Sequence, residues 1–163
     1  MDRQKFIVAV IGGAECSTSE EMQAAMVGRL LAENNAILIC GGHGGVMEAA
    51  SGGVRAGGGL TIGVLPGSSR DAANPYIDIP IVTGLGEARN AIIINSADAV
   101  IAVGGGYGTL SELAFALKRG IPVVGLNTWQ AHDPQQKELS IIAVGSAEEA
   151  VETVMTMLEA KSD

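Results

Sequence analysis

The sequence predicts an α/β fold, a Rossmann-like, doubly wound and mostly parallel sheet with helices on both faces. Short β-branched runs alternate with helical patterns along the chain. The runs are apolar on both faces, as strands covered from two sides must be. Glycine clusters follow three of these runs, where the strands of such a sheet end. The 163 residues suit a single domain spanning 1–163.

The strand patterns are "FIVAVIG" at 6–12, "AILIC" at 36–40, "LTIGVLP" at 60–66, "IDIPIVTG" at 77–84, "ADAVIAVGG" at 97–105, "IPVVGL" at 121–126 and "LSIIAVG" at 139–145. Between them lie helices with recognisable starts. Thr18 with Glu21, Thr109 with Glu112 and Ser146 with Glu149 each fit a capping box ahead of a helical pattern. After Thr109, the spacing of Leu110, Leu113, Ala114 and Leu117 predicts one apolar stripe against the sheet. Gly120 reads as a left-handed C-cap, with Pro122 beyond it. The polar segment 127–138 reads as a loop.

Composition narrows the function. Hydrophobic residues make up 47% of the chain, but every apolar run is far shorter than the roughly 20 residues a bilayer-crossing helix needs. The N-terminal "MDRQKFIVAVIGG" enters a strand pattern instead of a signal-peptide core, so a cytoplasmic protein without a membrane partner is the expectation. A net charge of −8 disfavours wrapping a nucleic acid polymer, and with it a DNA-processing role. Cys16 and Cys40 stand far apart with no C-x-x-C or histidine-rich spacing, so no metal site is expected.

The glycine clusters carry the functional signal. Gly12 and Gly13 follow the first strand, "GGHGG" with Gly42, Gly44 and Gly45 follows the second, and Gly104 to Gly108 follows the fifth. Glycine at a strand-to-helix turn lets a ligand approach bare backbone, and the free amides at a helix start favour a phosphate or carboxylate. Familiar cofactor fingerprints fail. The G-x-G-x-x-G pattern would need glycine at Met47 or Ser111, no P-loop motif exists, and none of the four lysines lies in a glycine loop as a pyridoxal site would want.

At "GGGYGTLSE", residues 104–112, the chain resembles the P-G-G-x-G-T-x-x-E signature of the Lonely Guy (LOG) family, with Gly104 in place of proline. "GEARNAIIINSADAVIAV" at 86–103 resembles that family's arginine–lysine helix, with Asn90 in place of lysine. Together with "GGHGGVMEAASGGVRAGG" the likeness covers most of residues 6–126, and the short form is similar to the molybdenum cofactor carrier branch of the same superfamily. The resemblance implies either hydrolysis of the N-glycosidic bond of a nucleoside 5′-monophosphate or a non-catalytic role, as a carrier of the molybdenum cofactor or a sensor of a nucleotide. It implies Arg89 and Glu112 as catalytic residues. It also places phosphate on the loop of Gly105, Gly106, Tyr107, Gly108 and Thr109.

The residues themselves leave alternatives open. Glu112 serves a capping box or a scissile bond. Arg89 opens a helix, where the dipole repels a cation, so an anion is expected beside it, from Glu87, Glu112 or a ligand phosphate. Tyr107 or Tyr76 is available to stack on a base, in a chain with two Tyr, two Phe and one Trp. His43, in the second glycine loop, is either a ligand contact or an exposed polar residue, and Glu15, Ser17 and Arg70 are candidates for the pocket rim. "AIIIN" at 91–95 is apolar around most of its helix, which predicts a homodimer or larger assembly through that region.

Overall fold

The computed structural model describes residues 5–162. The charged first four residues, which the signal-peptide reading used, and residue 163 lie outside the described residues. The seven strands are β1 (Ile7–Gly12), β2 (Ile37–Cys40), β3 (Leu60–Leu65), β4 (Ile79–Val82), β5 (Ala99–Val103), β6 (Val123–Leu126) and β7 (Ile142–Val144). They form one sheet in the order β4-β3-β2-β1-β5-β6-β7, and every pairing is parallel. The helices are α1 (Thr18–Glu33), α2 (Val46–Ala56), α3 (Arg89–Asn95), α4 (Tyr107–Arg119) and α5 (Ala147–Ala160). The fold is Rossmann-like and doubly wound, as the sequence predicts.

Strand order reverses between β1 and β5, where Gly12 stands opposite Val103. The period-two alternation of the strands supplies two cores. Val8 and Val10 point to one face, covered by α1, α2 and α5, while Ala9 and Ile11 point to the other, covered by α3 and α4. Each fully buried Val, Leu or Ile contributes about 1.5–3 kcal/mol relative to exposure, so the central strands anchor the molecule. The edge strand β4 is less covered, with Ile79, Ile81 and Val82 exposed.

Four local readings are corrected. The capping box of α1 uses Ser17 and Glu20, one residue earlier than Thr18 and Glu21. Ser17 accepts from the Glu20 amide at 3.2 Å, and the Glu20 carboxylate accepts from the Ser17 amide at 2.8 Å. Thr109 and Glu112 form no box at all, because α4 begins two residues before Thr109 with Gly106 as its N-cap. The buried stripe of α4 is Thr109, Glu112, Leu113 and Ala116, while Ala114 is exposed. A pattern of apolar residues could not select a face that buries a threonine and a glutamate. Ser146 does cap α5, accepting from the Glu149 amide, though the Glu149 carboxylate accepts from Gly145 and not from the cap residue itself.

Gly120 adopts the left-handed conformation at the end of α4, with φ of 67°. The run 91–95 spends Ile93 and Ile94 on the chain's own core, leaving Ala91 and Ile92 half-buried. No helix among the described residues is long and apolar enough to cross a membrane.

Candidate functional site

The carboxyl ends of β1, β2 and β5 bring three glycine loops to one edge of the sheet, at the point where strand order reverses. Open α/β sheets bind ligands at such a crevice. Gly12 packs against Val46 and the Val103 carbonyl, and Gly45 lies against Gly13 and Ala14 with φ of 62°. The Val46 amide donates to the Gly13 carbonyl at 3.0 Å, which ties the first loop to the start of α2. Gly44 faces Ala14 and the Glu48 side chain. Gly42 lies deeper, packed on Leu65 and Gly63 of β3, with its amide donating to the Cys40 sulfur at 3.3 Å.

Whether a helix start is free to meet a ligand depends on its cap. Helices α1 and α5 are capped by serine side chains, whereas α2 and α4 start at Gly45 and Gly106 with no side-chain cap. The first bond in α4 runs from the Leu110 amide to the Gly106 carbonyl, so the amides of Tyr107, Gly108 and Thr109 have no acceptor within the helix. They present the positive end of the α4 dipole next to the crevice.

Below that loop sit Arg89 and Glu112. Arg89 starts α3 and reaches under the second glycine loop, where its Nη1 donates to the carbonyl of Gly41 at 2.6 Å and to that of Val64. These strand-end carbonyls supply part of the negative charge that its position at a helix start demands. Its Nε is buried without a partner. Burial pulls the Arg89 pKa below its usual value, and the nearby Glu112 carboxylate acts against that shift.

Glu112 is only 8% exposed, and no hydrogen bond satisfies its carboxylate among the described residues. Desolvation raises its pKa to about 7, although Arg89 pulls the other way. The one ion pair among the described residues is Arg29 with Glu33 on the surface of α1, so Arg89 and Glu112 interact across a gap and do not neutralise each other in direct contact. A buried carboxyl that changes charge near neutral pH, beside an arginine at the sheet edge where the glycine loops gather, can give or take a proton or face a developing positive charge.

Several positioning residues carry no signal in the sequence. Asn74, in the segment between β3 and β4, receives its place from three bonds. Its amide donates to the Gly42 carbonyl at 2.8 Å, its Nδ2 to the His43 carbonyl at 2.9 Å, and its Oδ1 accepts from the Tyr76 amide at 3.0 Å. Thr128 and Trp129, just after β6, donate to the carbonyls of Gly104 and Gly106 at 2.6 and 3.1 Å. Asn90 is buried and donates to the Ser111 hydroxyl at 3.2 Å, joining α3 to α4.

The remaining candidates fall in different places. His43 is half-buried in the second loop, its pKa lowered by burial and by Arg89. Cys40 is fully buried beneath that loop. Glu15, Cys16 and Tyr76 line a groove of about 780 Å³ between α1 and α2 that adjoins the second glycine loop through Gly45, and Arg70 is exposed in a 3-10 turn. No three His, Cys, Asp or Glu side chains gather as a metal site would require among the described residues.

A model of the SLOG cluster4 family matches residues 5–156. The chain is 50% identical over 119 residues to an uncharacterized protein of Archaeoglobus fulgidus, covering 73% of this chain and 78% of the relative. It is 35% identical over 138 residues to the cytokinin riboside 5′-monophosphate phosphoribohydrolase of Mycobacterium tuberculosis, covering 78% and 74% of the two chains. Among solved structures, the molybdenum cofactor binding protein of Rippkaea orientalis superposes with a TM-score of 0.86 at 37% identity, covering 95% of this chain and 98% of that one.

Proposed function

We propose that this chain, which belongs to the SLOG cluster4 family, holds a phosphorylated, nucleotide-like ligand across the β1/β5 crevice and hydrolyses its N-glycosidic bond. The observation that carries the proposal is Glu112: buried, free of any capping duty, without a hydrogen-bond partner and with a pKa of about 7. Within α4 the carboxylate makes no hydrogen bond, and the charge that faces it is the half-buried guanidinium of Arg89. A helix that needed only burial would gain stability from an apolar residue there.

In this reading the phosphate rests on the amides of Tyr107, Gly108 and Thr109, flanked by Gly105 and Gly106, while Gly12, Gly13, Gly44 and Gly45 form the facing wall. Arg89 lends positive charge from below. Glu112 in its ionised form faces C1′ of the ribose as the bond to the base breaks and positive charge develops on the sugar. Water adds its oxygen to C1′ and gives up one proton to Glu112, the C1′–N bond breaks with its electron pair going to the base, and that same proton passes to the departing base, which returns Glu112 to its ionised form. The products are the free base and ribose 5-phosphate. The relationship to the Mycobacterium tuberculosis phosphoribohydrolase supports this chemistry.

A second reading is favoured by the near-complete overlap with the molybdenum cofactor binding protein. Here the same crevice holds that cofactor as cargo, its phosphate lying on the same amides, and Glu112 does no chemistry. Both readings allow copies of the chain to assemble through the half-buried Ala91 and Ile92 of α3 and the exposed Phe115 of α4.

Incubation with AMP, GMP, CMP and isopentenyl-AMP, followed by chromatography for free base and ribose 5-phosphate, separates the two. Release by the native chain and not by Glu112→Gln supports hydrolysis. Absence of release at enzyme concentrations that would reveal one slow turnover removes hydrolysis of these substrates and leaves the carrier reading.

A further inference from the structure

Tyr107 is the first residue of α4 and lies on the loop assigned above to phosphate, yet its ring is 83% exposed, more than any other large apolar side chain described. Aromatic rings are scarce here, with five in the chain, and one left in water forgoes burial that its size would reward. Its neighbour is Trp129, with ring centroids 5.8 Å apart and planes inclined by 37°.

Trp129 is fixed in place. Its Nε1 donates to the Gly106 carbonyl, and its body packs on the core formed by α3 and α4. The adjacent Thr128 hydroxyl donates to the Gly104 carbonyl. Because a trans peptide sets its C=O and N–H on opposite sides, these two bonds orient the amides of Gly105 and Tyr107 away from the 128–129 segment. The residues that set the polarity of the loop therefore also hold one ring rigidly beside the free ring of Tyr107.

We propose that Tyr107 and Trp129 form a stacking subsite for a planar heteroaromatic ring, carried by a ligand whose phosphate occupies the 105–109 loop. A ring laid on Tyr107 would cover the exposed face, while Trp129 backs the tyrosine and limits its rotation. The proposal rests on the phosphate reading above and extends it. The 128–129 segment selects ligands that carry an aromatic ring over those that offer phosphate and sugar alone. A stacked base is worth about 1–3 kcal/mol by alanine substitution, or about five- to 150-fold in affinity.

Trp129 is the only tryptophan, so its emission reports this subsite alone. The native chain is titrated with AMP and GMP, and with ribose 5-phosphate and inorganic phosphate as ring-free probes. Affinity is measured in parallel by calorimetry, for Tyr107→Phe and Tyr107→Ala as well. The expected result is quenching by the nucleotides and not by the ring-free probes. Tyr107→Ala should bind nucleotides about tenfold more weakly with phosphate affinity unchanged, and Tyr107→Phe should retain native affinity. Nucleotide and ribose 5-phosphate binding with equal affinity, insensitive to Tyr107→Ala, would overturn the stacking subsite and leave the phosphate site standing. Failure of every probe to bind would overturn both. A change of oligomeric state in Tyr107→Ala, seen by light scattering, would assign the ring to a contact between copies and overturn the subsite as well.

Discussion

The guanidinium of Arg89 lies under Gly41, donating to its carbonyl at 2.6 Å, so the start of α3 is pinned to the end of β2 across 48 positions of sequence. A β-carbon at Gly41 would stand 2.7 Å from Arg89 Nη1 and 2.7 Å from the Met47 sulfur. The fit between these two residues fixes how Arg89 approaches the crevice.

Gly41→Ala should therefore push Arg89 off its carbonyl acceptors. Overpacking of this kind costs about 1–3 kcal/mol, to be read from urea unfolding. Phosphate affinity should fall with it. Native phosphate affinity in a destabilised Gly41→Ala variant would show that Arg89 does not contribute to the site.

Glu112 makes stability depend on pH in a defined direction. Its carboxyl titrates near 4.5 in the unfolded chain and at about 7 when folded. Between those values the folded chain binds the proton more tightly, so stability falls as pH rises through the window. Glu112→Gln should remove that slope and be more stable than the native chain above neutrality by roughly 1–3 kcal/mol, with the difference vanishing at about pH 4.5. Unfolding curves across this range that run parallel for both proteins would contradict the buried, unpartnered carboxyl.

The same ionisation should shape turnover. If the ionised carboxylate faces the ribose, the rate of base release rises with pH through about 7 and then levels off. A rate that falls through that range would assign Glu112 the role of an acid.

Gly104 takes φ of 55°, and its amide donates to the Leu126 carbonyl at 2.9 Å. Proline, which the resembling LOG signature carries there, fixes φ near −65° and has no N–H. Gly104→Pro should lose about 3 kcal/mol or more and displace the 105–109 loop. Native stability in that variant would mean that the loop adopts the other conformation at no cost.

The caps offer a comparison within the molecule. Ser17→Ala should cost about 1 kcal/mol, because the side chain accepts an orphan amide of α1. Thr109→Ala removes no cap bond, since α4 starts earlier. Its effect should appear in ligand affinity more than in helix stability, with circular dichroism melts as the check.

What the sequence by itself determined was the architecture and the edge of the sheet that carries the glycines. Seven short apolar runs, the Ser146 cap and the Gly120 stop are local features, decided by backbone sterics and side-chain period, and each is found in the structure. Only the tertiary structure decided which start signals are real. Ser17 and Glu20 are three positions apart, as are Thr109 and Glu112, but only the first pair closes a box, because Gly106 and not Thr109 is the N-cap of α4. Tertiary structure also decided the partners of Arg89, which are carbonyls 48 and 25 positions away, and the meeting of Trp129 with Tyr107 across the β5/β6 crossover. Such contacts depend on strand order and on where a loop returns, and neither leaves a periodic trace in the chain.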